Sequence, residues 1–72
     1  MVYYLNMKTT YAIKPCPFSS EHIVAIVHTS KGFVYGCTYA EPYPTIQDIK
    51  LLWKSNKLAF RYYNESTGYY VV

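Results

Sequence analysis

Cys16 and Cys37 are the residues whose type and setting first suggest chemistry, because a thiolate is both a nucleophile and a strong zinc ligand. Each heads a four-residue segment, Cys16-Pro17-Phe18-Ser19 and Cys37-Thr38-Tyr39-Ala40. With a second thiol at the fourth position, both would be the C-x2-C knuckles of a structural zinc site. Such a site needs four thiolate or imidazole ligands in a tetrahedron, and neither the Ser19 hydroxyl nor the Ala40 methyl replaces a thiolate at neutral pH. Positions 16, 19, 37 and 40 therefore read as a vestigial metal site, with no metal and no cofactor expected. His22 and His28 lie six residues apart on one predicted strand and share a face, as paired ligands or a pH switch would; the plainer reading is that they end the strand. No Ser-His-Asp or Cys-His arrangement with a third member is visible. The four acidic residues are scattered through polar segments, so the chain is not expected to be an enzyme.

Lysines and tyrosines are the second resource. Lys50, Lys54 and Lys57 recur at i, i+4 and i+7 along a predicted helix, away from its apolar face, and Lys31 sits at a predicted hairpin tip. Such a stripe suits phosphates or an acidic protein surface; the plainer alternative is a solvated helix face. In Tyr62-Tyr63 and Tyr69-Tyr70, neighbouring side chains on a strand point to opposite faces, so each pair should place one ring in the core and one outside. The outer rings make a candidate docking or homodimer surface, tyrosine being frequent at interface hot spots, or ordinary sheet surface.

The elements that must position these groups follow from pattern. Thr9 to Lys14 is β-branched and aromatic and is ended by Pro15-Cys16-Pro17, and this strand extends backward, on the same composition, through Val2-Tyr3-Tyr4-Leu5. His22 to His28 and Phe33 to Tyr39, joined by Ser30-Lys31-Gly32, predict a hairpin. After Pro42 and Pro44, Thr45 with Asp48 three residues on is a helix start, and Ile46, Ile49 and Trp53, with Leu52 beside them, give about three turns one apolar face. Asn56 is placed to close that helix in the left-handed conformation. Leu58 to Tyr63 and Gly68 to Val72, around Asn64-Glu65-Ser66-Thr67, predict a second hairpin. The expected fold is α+β, a small antiparallel sheet of about five strands in the order β-β-β-α-β-β packed on one helix, degenerate zinc-ribbon-like. At 72 residues it forms one domain, 1-72.

Fourteen aromatic residues against eleven charged ones exclude a disordered chain. Ile23 to Val27, the longest apolar run, is far short of the roughly 20 residues that span a bilayer, and no secretory signal precedes it, so a cytoplasmic, reducing setting and no membrane partner are expected. A net charge of +3 favours acidic partners without the dense basic stripe of a dedicated nucleic-acid binder. Met7 opens Met-Lys-Thr-Thr-Tyr-Ala-Ile-Lys-Pro and is an alternative start.

Lys14-Pro15-Cys16-Pro17-Phe18-Ser19-Ser20, the hairpin through Gly32, Cys37-Thr38-Tyr39-Ala40 and the helix from Thr45 to Trp53 together resemble the small prophage restriction-alleviation proteins of the Lar type over roughly residues 13 to 56. The resemblance implies a zinc-ribbon plan and a phage setting, while positions 19 and 40 depart from its ligand pattern. In such a ribbon Cys16 and Cys37 would face each other, as packed free thiols, as a disulfide, or as a residual metal site with His22 or His28. The resemblance also implies a function: a phage protein that inhibits or modulates a host restriction-modification or CRISPR-Cas complex. Its partner surface would comprise Lys31, Lys50, Lys54, Lys57, Tyr62, Tyr63, Tyr69 and Tyr70. The alternative is a nucleic-acid-binding module derived from a zinc ribbon. In either case the C-terminal tyrosine hairpin is the natural substitute for the stabilising metal.

Overall fold

An apolar sheet face must be buried against another element, and this chain covers the two faces of its sheet with different material. The computed structural model describes residues 8–71, so the predicted strand through Val2-Tyr3-Tyr4-Leu5 lies outside the described residues. Strands β1 (Thr10–Pro15), β2 (His22–His28) and β3 (Val34–Ala40) precede helix α1 (Ile46–Ser55), and β4 (Arg61–Asn64) and β5 (Tyr69–Tyr70) follow it. The fold is α+β with five antiparallel strands and one helix, as the pattern predicts, and the strands lie in one sheet in the order β1-β2-β3-β4-β5.

Strand β2 is central to both cores. Along it Val24, Ala25, Ile26 and Val27 are all buried, because the alternation that normally gives a strand one wet face here feeds two apolar layers. Ala25 lies between Ile13 and Cys37, and Val27 between Tyr11 and Tyr35; on the opposite face Ile26 lies between Ala12 and Gly36.

Helix α1 covers the first face. Thr45 caps it, its hydroxyl accepting from the Asp48 amide while the Asp48 carboxylate accepts from the Thr45 amide. Ile49 packs into Ala25, Val27 and Phe60, with Leu52 and Trp53 partly buried beside it. Ile46, expected on this face, stays 45 % exposed in the first turn. The helix does not close on a left-handed Asn56: that residue has φ −147° and ψ 63°, and its amide donates to the Leu52 carbonyl. A single 3-10 turn, Lys57–Ala59, follows and delays β4 to Arg61. That turn sets Phe60 under the helix and leaves Leu58 in solvent, which is why the apolar composition from Leu58 suggests too early a strand.

The C-terminal hairpin covers the second face. β4 joins β3 only through Tyr35–Tyr62 and Gly36–Arg61, and Tyr63 then packs on Val24 and Ile26. Gly36 allows this approach, since a Cβ there would lie 3.0 Å from Tyr63 Cγ. The Tyr70 and Thr38 hydroxyls share a 2.6 Å hydrogen bond, and Gly68 turns the hairpin at φ +81°.

Glu65 ties this hairpin to the strands beneath it. Its carboxylate accepts from Lys14 Nζ at 3.1 Å and contacts His28 Nε2 at 2.9 Å. Burial works against its charge, but Lys14 and His28 outweigh burial and hold the Glu65 carboxyl below the ordinary glutamate value. The Thr45 amide does the same for Asp48. A carboxyl whose pKa is lower folded than unfolded adds stability above its unfolded value, and that stability is lost as pH falls through the folded one. The urea midpoint is therefore expected to be level from neutrality to about pH 5 and to fall below it, with Glu65→Gln removing part of the slope. A midpoint that rose on acidification would contradict the ion cluster.

Candidate functional site

Five aromatic rings form a continuous ladder from the core to the surface. Phe60 meets Trp53 edge-on at 5.5 Å, Trp53 meets Tyr35 at 4.9 Å, Tyr35 stacks on Tyr62 at 4.9 Å, and Tyr62 meets Phe33 at 6.0 Å. The register builds it: Tyr35 and Tyr62 are direct cross-strand partners, and Trp53 lies on the helix face that meets them. Phe60 is buried at 6 % exposure, whereas Tyr62 and Phe33 at the far end are about half exposed, at 50 % and 49 %. The ladder thus has a fixed root and an open tip. Hydrogen bonding with Tyr62, then burial, push the Tyr35 hydroxyl above the ordinary tyrosine value, so it is a neutral phenol at physiological pH.

Beside the tip lies a groove of about 330 Å³, with Phe33, Tyr35 and Trp53 on its walls and Lys31 and Lys57 among its lining. Lys57 Nζ stands 5.3 Å from the Trp53 ring centroid, within cation–π range, so this lysine belongs to the aromatic cluster and not to a separate helix stripe. Thr29 fixes the turn that carries Lys31: its hydroxyl accepts from the Phe33 amide at 3.1 Å, and the Gly32 amide donates to its carbonyl at 3.0 Å.

The predicted surface is accordingly divided. Lys31 and Lys57 line this groove and Tyr62 stands beside it, packed on Tyr35 and Phe33, while Lys50 and Lys54 are exposed along the helix and do not line it. Tyr63 is withdrawn from any contact surface, being 8 % exposed in the core, and Tyr70 is half-buried with its hydroxyl engaged by Thr38. Tyr69 is exposed but stacks on Phe18 at 4.8 Å, beside the turn between β1 and β2 and so at the far end of β2, about 20 Å away by strand rise. Each tyrosine pair does place one ring inside and one outside. Phe33, Tyr35 and Trp53 were not among the expected contacts; the signals for them were Lys57 four residues after Trp53, and Phe33 directly after the Lys31-Gly32 turn.

The four vestigial positions do not fit a zinc ion. Strand alternation and packing put Cys37 on the helix face, against Ala25 and its neighbours, and Cys16 on the hairpin face, against Val24, Ile26 and Tyr63. The expectation that the two thiols face each other is corrected: they are free cysteines on opposite sides of one sheet. The Ser19 hydroxyl is engaged by His22 Nδ1 at 2.7 Å, and Ala40 lies opposite His22. Among the described residues no three His, Cys, Asp or Glu side chains converge on a metal position, and no helix is long and apolar enough to cross a membrane.

Apart from Glu65, which is engaged by Lys14 and His28, the acidic residues lie away from the aromatic groove. Glu21 and Glu41 edge a cavity of about 430 Å³ at the end of the sheet where β2 begins, and Asp48 lies in the first turn of α1. Lys31 and Lys57 flank the aromatic groove where β2 finishes, with Lys54 in the last helical turn. Compared with known proteins, the chain matches no family model, no curated sequence and no solved structure.

Proposed function

We propose that this chain is a small, non-enzymatic binding protein whose working surface is the lysine-flanked tip of the aromatic ladder, Phe33, Tyr62, Lys31 and Lys57. The ladder carries the reading. Two half-exposed rings anchored through two others to a buried root present apolar area at little ordering cost, as interface hot spots do, and the flanking lysines favour an acidic partner. The resemblance of residues 13 to 56 to restriction-alleviation proteins supplies the setting: a phage protein acting in the bacterial cytoplasm on a host restriction-modification or CRISPR-Cas complex.

Expression of the chain in host strains carrying defined restriction or CRISPR-Cas systems is expected to raise the plating efficiency of a targeted phage by at least tenfold in one of them. The Phe33→Ala/Tyr62→Ala variant, checked for folding by circular dichroism, should lose that relief. Unchanged plating in every system, or relief that survives both substitutions, would defeat the reading.

A further inference from the structure

The groove at the ladder tip has a chemistry more specific than acidic partners in general. Its walls are ring faces and edges, its cations are Lys31 and Lys57, and the hydroxyl residues Thr9, Thr29 and Ser30 complete its lining. No acidic residue lines it among the described residues, and the sequence of residues 1–7 contains none. Carboxylates of an acidic partner would satisfy the lysines but have no π-face to set against the half-exposed rings of Phe33 and Tyr62. A nucleotide strand satisfies both, because every base offers a π-face and every linkage a negative charge. Paired bases in a duplex are stacked on one another and cannot lie on these rings, and about 330 Å³ holds one nucleoside, not a double helix.

We infer that the ladder tip binds single-stranded nucleic acid, neighbouring bases stacking on Phe33 and on Tyr62 while the adjoining phosphates are held by Lys31 and Lys57. The inference rests on the binding surface proposed above and names its ligand: the nucleic-acid strand displayed by the partner complex. Trp53 is the chain's one tryptophan and lies within the ladder, so it reports occupancy directly.

The test titrates the purified full chain with eight-nucleotide oligothymidine and oligouridine at about 50 mM and about 200 mM salt, following Trp53 fluorescence and the anisotropy of labelled oligonucleotide. Saturable quenching is expected. The logarithm of affinity should fall with that of salt at a slope of about −1.4, the value for two phosphate contacts on a single strand. Phe33→Leu, which keeps apolar bulk but removes the ring, should weaken binding about 5- to 150-fold, and Tyr62→Phe should retain it. Lys31→Ala/Lys57→Ala should flatten the salt slope when read by anisotropy. The inference is overturned by absence of saturable binding at the lower salt, by a duplex or polyglutamate binding as tightly as the strand, or by Phe33→Leu leaving affinity within about twofold. Failure here with phage relief intact would remove the ligand and leave the function. Oligonucleotide binding with no relief in any system would do the reverse.

Discussion

Ile49→Ala is expected to lower the free energy of unfolding by about 2–5 kcal/mol. Ile49 is fully buried and is the helix residue set among Ala25, Val27 and Phe60, so its loss leaves a cavity between helix and sheet. Ala25 at the centre of that contact is too small to fill it, and Phe60 is held against Trp53. A domain of this size holds only about 0.05–0.15 kcal/mol per residue in all, so the loss is a large fraction of the total. Urea titration followed by far-ultraviolet circular dichroism measures the loss; a change under about 1 kcal/mol would show that the helix is not the cover of the first face.

Tyr63→Ala is expected to cost about 3–5 kcal/mol by the same titration. Tyr63 closes the second face over Val24 and Ile26, with its ring against Gly36 and 5.1 Å from Tyr70. The proposal that the C-terminal hairpin stabilises the fold where a metal otherwise would depends on this residue. Tyr63→Phe keeps the ring and should change stability by well under half as much. If alanine and phenylalanine were equally mild, the hairpin would be a passive attachment. Near-wild-type stability after deletion of residues 61–72 would lead to the same conclusion.

Much of this architecture was legible because local signals and burial agree. The Thr45/Asp48 box starts the helix where it is expected, β2 keeps its predicted bounds, and each tyrosine pair splits between core and solvent. The errors arose where tertiary position decides. Leu58 and Ala59 have strand-like composition but are bent into a 3-10 turn so that Phe60 can reach Trp53. The ribbon resemblance implies that Cys16 and Cys37 face each other, yet packing sends their side chains to opposite layers. The candidate site was half legible for a similar reason. Exposed lysines and tyrosines can be listed from sequence, whereas the ladder depends on the β3–β4 register and the helix angle that bring Tyr35, Tyr62 and Trp53 together.

The uneven placement of charge has a consequence for how this molecule meets anything. With Glu21, Glu41 and the Asp48 turn on one side, Lys31, Lys54 and Lys57 on the other, and Glu65 offset by Lys14, the protein carries an electric dipole added to its net +3. A polyanion within about a Debye length, roughly 8–10 Å at cellular salt, exerts a torque that turns the aromatic tip forward and swings the acidic side away. Random collisions would then be converted into aligned ones before any ring makes contact. For so small a protein, with one narrow tip to present, that alignment acts on the rate of productive encounter more than on the lifetime of the complex.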